Sequence, residues 1–131
     1  MTTTTDRTRQ TVQAYHQARF GGDITTATAQ LADTFTFQSP LISSGDAAGH
    51  LADLPGFLQV VTGVEMISDL YGESEATLVY DVHTATPVGT QRTAEHFTLR
   101  DNRIESITLI FDATRWHSIM AAAGQPGTAS D

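Results

Sequence analysis

The chain has 131 residues, 40% of them hydrophobic and 17% charged, which suits one globular domain with a real core. A formal net charge of -8 and a sequence pI near 4.8 argue against nucleic acid and anionic membrane surfaces as partners, because both call for basic patches. There is no cysteine, which removes disulfides, thiolate nucleophiles and thiolate metal sites.

In chain order, the opening MTTTTDRTRQ lacks the apolar run of a signal peptide, and no stretch is apolar for long enough to cross a bilayer. No membrane association and a cytoplasmic location are therefore expected. Residues 1–5 read as a flexible polar tail, 6–123 as a single domain and 124–131 as a flexible Gly/Pro/Ser/Thr tail. A first helix is predicted over Asp6–Phe20, with Val12, Tyr15 or His16, and Arg19 at helical spacing on one side. Gly21-Gly22-Asp23 ends it, and Asp23 caps a second helix, Ile24–Ala32. Thr34–Gln38 alternates as a strand and stops at Ser39-Pro40. After a loop, Asp46 is placed to cap a helix through Leu51, and Pro55 to start another over Gly56–Val61. Gly63 reads as a breaker before a strand over Val64–Tyr71. Asp112 reads as the cap of a last helix, Thr114–Ala123.

Between these lie three strands, Leu78–Thr84, Arg92–Arg100 and Ile104–Phe111, rich in β-branched and aromatic residues. They are split by Thr86-Pro87-Val88-Gly89 and Asp101-Asn102, links short enough for an antiparallel meander. Phe97 and Leu99 mark one face of the middle strand, so Thr93 and Glu95 share it. A turn with an odd number of residues around Asp101-Asn102-Arg103 would pair Phe97 with Ile107 and Glu95 with Leu109. The strand before them admits two readings. Leu78, Tyr80 and Val82 form the more apolar set and, taken alone, should face the core. A hairpin centred on Val88 instead pairs Asp81 with Glu95, Val79 with Phe97 and His83 with Thr93. Helices covering one side of such a sheet give an α+β fold.

The helix–helix–strand–helix–four-strand order, GGD between the first helices, the strand ending in Ser-Pro and EHFTLRDNRIESITLIFD near the end resemble the nuclear transport factor 2-like superfamily. The chain looks most like its SnoaL-like polyketide cyclase and limonene-epoxide-hydrolase-like branch. The resemblance implies a conical, curved antiparallel sheet whose helices close one face around an apolar pocket, often with a homodimer across the outer sheet face. It also favours the register that turns Asp81 inward, because Asp81 then matches an acid position of the epoxide-hydrolase-like pattern. Leu78, Tyr80, Val82 and Ile110 would then form an outer apolar patch for a second copy. The epoxide-hydrolase acid–arginine–acid trio is incomplete, with Val79 at the arginine position and Leu109 at the second acid.

In that register two carboxyl groups are cross-strand neighbours in an apolar cavity, where one is expected to hold its proton. The expected function is acid–base chemistry without a cofactor on an apolar, ring-containing small molecule: cyclisation, isomerisation, dehydration or epoxide opening. Asp81 is the expected acid or base, Glu95 its partner and His83 the relay. Tyr15, His16, Arg19, Thr36, Gln38, Phe57, Val79, Phe97, Leu109 and Phe111 are expected to line the pocket; the resemblance puts Thr36 and Gln38 where epoxide hydrolases hold a water. No histidine pair has metal-ligand spacing, and no metal is expected. The alternative from another class is a non-catalytic binding protein for a hydrophobic small molecule.

Overall fold

The computed structural model describes residues 3–40, 43–45, 51 and 54–118. Helix α1 (Thr4–Gly21) opens on a capping box, in which Thr3 accepts from the Asp6 amide and Asp6 accepts from the Thr3 amide. It buries Thr8, Thr11, Val12, Tyr15 and Ala18, a face spaced three or four residues apart. Gly22 ends it with φ of 80°, a left-handed geometry that glycine adopts without strain. Asp23 then caps α2 (Ile24–Ala29) through the Thr26 amide.

Helix α2 is shorter than the sequence predicts. The Gln30 carbonyl accepts from the Ile104 amide, and Leu31 already pairs with Ile104, so the chain enters the sheet at β1 (Leu31–Gln38). A two-residue strand, β2 (Ser43–Ser44), and a short helix, α3 (Leu54–Leu58), precede the long strands β3 (Val61–Tyr71), β4 (Glu75–Thr84), β5 (Thr90–Arg100) and β6 (Arg103–Ile110). Gly63 does not break β3; it sits opposite His83, where a Cβ would lie 3.6 Å from the imidazole. Of the helix expected at Asp46–Leu51 only Leu51 is described, and the end of the last helix and the tail at 124–131 fall outside the described residues; of the expected tail at 1–5, residues 3–5 instead form the cap and start of α1. A final helical turn, α4 at 114–118, begins where Asp112 accepts from the Thr114 amide.

The sheet order is β2-β1-β6-β5-β4-β3. Strands β3 to β6 form the expected antiparallel meander, while β1 adds to β6 in parallel. The sheet curves, stays open, and carries its helices on one side around a single core. Among the described residues no helix is long and apolar enough to cross a membrane.

Register decides which side chains share that core. At β5–β6, Phe97 faces Ile107 and Glu95 faces Leu109, as expected, but through a different device. Asp101 and Asn102 both have positive φ, a two-residue turn of the primed type, and a bulge between Thr98 and Leu99 supplies the extra residue. At β4–β5 the favoured register is overturned. Leu78 faces Glu95, Tyr80 faces Thr93 and Asp81 faces Arg92. The cause is the turn at Thr86–Gly89, closed by the Gly89 amide on the Thr86 carbonyl, with Pro87 in its second position and Gly89 at φ of 68°. That turn is not centred on Val88, and the offset moves every β4 side chain to the other face. Leu78, Tyr80 and Val82 are therefore buried rather than an outer patch; of the four residues assigned to it, only Ile110 is exposed.

Candidate functional site

Among the described residues, the buried inner face of the sheet is mainly apolar, with Glu95 and Thr93 as its deeply buried polar side chains. The Glu95 side chain, which is 0% exposed, has the buried Leu78 and Leu109 as its cross-strand neighbours and the buried Phe97 two residues along its own strand. Strand β5 delivers Glu95 to this position because alternation puts it beside Thr93 and Phe97. Strand β4 brings Tyr80 alongside, and the Tyr80 hydroxyl donates to Glu95 Oε1 at 2.8 Å. Helix α1 supplies the rest. Arg19 donates to the Tyr80 hydroxyl at 3.3 Å and lies 3.7 Å from Glu95 Oε1. One turn earlier, the His16 ring packs edge-on against Phe20 and Tyr80, each with centroids 5.0 Å away. Tyr15 packs edge-on against Phe97 on the same side.

Two polar atoms in this cluster, Glu95 Oε2 and His16 Nδ1, are buried without a hydrogen-bond partner among the described residues. Burial raises the Glu95 pKa above the usual carboxylate value, although the Arg19 charge and the Tyr80 hydrogen bond pull the other way. Burial, aided by Arg19, lowers the His16 pKa to about 4, so the ring is neutral at physiological pH. Burial also disfavours the Arg19 charge, but Tyr15, Tyr80 and Glu95 more than offset this and hold the guanidinium protonated. The Tyr80 hydroxyl is pushed well up by burial and by the neighbouring carboxyl, which makes it a hydrogen-bond donor rather than an acid.

The structure gathers Tyr15, His16, Arg19, Glu95, Phe97 and Leu109 on the inner side, with Phe57 and Phe111 packed against the core from its edge. It separates Asp81 and His83 from them. Asp81 stands on the outer face in a two-pronged pair with Arg92, both contacts at 2.9 Å, which lowers its pKa. His83, also outside, meets the Thr90 hydroxyl at 2.8 Å and Glu65 at 3.6 Å. Val79 lies on that outer face too, and Thr36 and Gln38 flank the buried Phe37 on the exposed side of β1. The Asp81–Glu95 pair does not form, because the hairpin turn places Leu78 where Asp81 was expected. Tyr80, with Leu78 and Val82, was assigned to the wrong side. The apolar alternation of Leu78, Tyr80 and Val82, read alone, carried the signal that would have found it.

No family model matches the sequence, and no curated protein matches it. Solved structures do. A Kribbella flavida protein is 30% identical over 88% of this chain and 95% of its own, with a TM-score of 0.77. An NTF2-like protein of unknown function from Cytophaga hutchinsonii is 18% identical, covering 84% of this chain and 94% of that one, with a TM-score of 0.69. A proposed polyketide cyclase from Xanthomonas campestris is 17% identical, covering 88% and 98%, with a TM-score of 0.70. The helices packed on one side of a curved, open sheet give this chain the cone-like fold of the NTF2-like protein from Cytophaga hutchinsonii.

Proposed function

We propose that the protein is an acid–base enzyme acting on an apolar, ring-containing small molecule, with Glu95 as its proton-transfer group. The observation that carries this reading is the Glu95 carboxyl itself: fully buried among apolar side chains, tied at Oε1 by Tyr80 and without a partner at Oε2. A buried carboxyl with a raised pKa is suited to taking and returning a proton near neutral pH. Tyr80 fixes the carboxyl plane, and Arg19 supplies the counter-charge that lets it ionise in an apolar setting. When ionised, Oε2 takes a proton from the substrate; the protonated carboxyl then returns it at a second position. That sequence serves isomerisation, dehydration and cyclisation alike. The description of the Xanthomonas neighbour as a proposed polyketide cyclase supports ring chemistry. Epoxide opening by an acid–arginine–acid trio is not supported, since Asp81 faces outward and Val79 and Leu109 hold the other two positions.

Glu95 is sealed in this conformation, so a substrate reaches it only when the surrounding wall opens. The test is wash-in of solvent deuterium next to the carbonyl of apolar ring ketones, followed by proton NMR. The wild type is expected to accelerate exchange on at least one ketone, and Glu95→Gln to lose about a hundredfold to ten-thousandfold of that rate. Equal rates in both would remove Glu95 from proton transfer and leave the binding-protein reading.

A further inference from the structure

Glu95 is sealed, yet a proton-transfer group has to be reached. Among the described residues, the walls on its side of the molecule are the sheet, helix α1, and the short elements α3 and α4. They are not held equally. Beside Glu95 the sheet is a hydrogen-bonded ladder, with β4 and β6 flanking β5. Helix α1 has 18 residues, is capped at both ends and buries five side chains. Thr8 ties it to the Glu73 carbonyl at 2.7 Å, Thr11 to the Asn102 side chain at 3.1 Å and Arg19 to Tyr80. By contrast, α3 has five residues, too few for a helix that is stable by itself, and one of them is Gly56. Of the described α4 side chains, only Trp116 is not exposed. Elements held this lightly open before the core does.

Trp116 joins the two. Its ring lies 6.2 Å from that of Phe57 on α3, tilted at 56°, and its indole N–H donates to Gln91 Oε1. Gln91 Nε2 donates in turn to Thr93 Oγ1 at 3.0 Å. Alternation puts Gln91, Thr93 and Glu95 on one face of β5, so Trp116 stands at the end of the row that leads to Glu95. Four residues of strand make that row about 14 Å long. We propose that Trp116 is the latch of the entrance to this site: α4 leaves Phe57 and Gln91, and an apolar small molecule enters along Gln91 and Thr93. This rests on the reading of Glu95 as the working group and adds where its wall opens.

The probe is diisopropylcarbodiimide, small and apolar, which adds to protonated carboxyl groups. Burial favours that form at Glu95. Peptide mass spectrometry follows the rate of addition at Glu95 in the folded protein, with no turnover required. An aromatic pair or a hydrogen bond is worth about twofold to tenfold in an opening equilibrium, so Phe57→Ala and Gln91→Ala are each expected to raise the rate by that factor. Thr11→Ala, which loosens α1 instead, is expected to leave it unchanged. The chain has no cysteine, so Phe57→Cys with Trp116→Cys can be bridged selectively by a bis-methanethiosulfonate. Bridging is expected to slow addition at Glu95 at least tenfold, and reductant to restore it. If Phe57→Ala does not fold, Gln91→Ala and the bridged variant decide. A Glu95 that is never labelled, a rate indifferent to Gln91→Ala, an equal rise in Thr11→Ala, or full labelling of the bridged protein each overturns the latch. Failure of the proton-transfer reading shows instead as deuterium exchange indifferent to Glu95→Gln, so the two failures are separable.

Discussion

At the scale of single residues, the site is a balance between burial and one counter-charge. Glu95 would be costly to ionise in its apolar surroundings without Arg19, and Arg19 is held charged by the groups around it. Arg19→Met should therefore raise the Glu95 pKa further and move the exchange-rate profile to higher pH. An unmoved profile would mean that Arg19 does not serve as counter-charge. Tyr80→Phe keeps the ring packing and removes the hydroxyl between Arg19 and Glu95. It should cost about 1.5–3 kcal/mol, as expected for a hydrogen bond to a charged group, measured by urea unfolding. Glu95 and His16 also leave opposite marks on stability. Glu95 holds its proton more tightly in the folded chain, so its contribution is complete below the ordinary carboxyl range and is lost as pH rises through its raised value. His16 is depressed from 6.5 to about 4, so its contribution is present above 6.5 and is lost as pH falls toward 4. Unfolding free energies over this window, compared between the wild type and Glu95→Gln and between the wild type and His16→Phe, should show slopes of opposite sign. Slopes of the same sign would contradict one of the two assignments.

At the scale of elements, the lesson lies in two hairpins. Helix α1, its glycine end and the meander were legible because their signals are local: Gly22 and Asp23 for the break between helices, and alternation for β5 and β6; the Thr3–Asp6 capping box was missed, because the threonine run read as a tail. The β4–β5 register was not, because a turn fixes register by its own backbone geometry. Pro87 in the second position and Gly89 with positive φ define a turn that only pairs His83 with Thr90. The family resemblance pulled the reading toward an inward Asp81, against the apolar alternation of Leu78, Tyr80 and Val82. Glu95 was legible as inward because Phe97 and Leu99 fixed its face, whereas its partner Tyr80 depended on the hairpin. The parallel pairing of β1 with β6 has no local signal at all; it comes from where α2 ends. Register makes a sharp prediction. Leu78→Ala empties a side chain that is 1% exposed and should cost about 2–5 kcal/mol, while Val79→Ala, one residue along on the outer face, should cost about 1 kcal/mol or less. Reversed costs in urea unfolding would restore the inward-Asp81 register.

At the scale of the whole molecule, one core joins α1, α2, α3 and the sheet, so the chain should unfold in a single transition. The homodimer expected from Leu78, Tyr80 and Val82 loses its patch, since all three are buried. The outer face instead carries the Asp81–Arg92 pair, with Ile67, Leu70 and Ile110 exposed, and nothing in the structure shows what covers it. The proposed chemistry lies on the inner side of the sheet, at Glu95, and Asp81 stands on the outer face. The most direct measurement compares solvent-deuterium wash-in on one accepted ring ketone for the wild type, Glu95→Gln and Asp81→Asn at the same pH. The account predicts that Glu95→Gln loses about a hundredfold or more while Asp81→Asn exchanges at the wild-type rate. A large loss in Asp81→Asn with Glu95→Gln unaffected would contradict it.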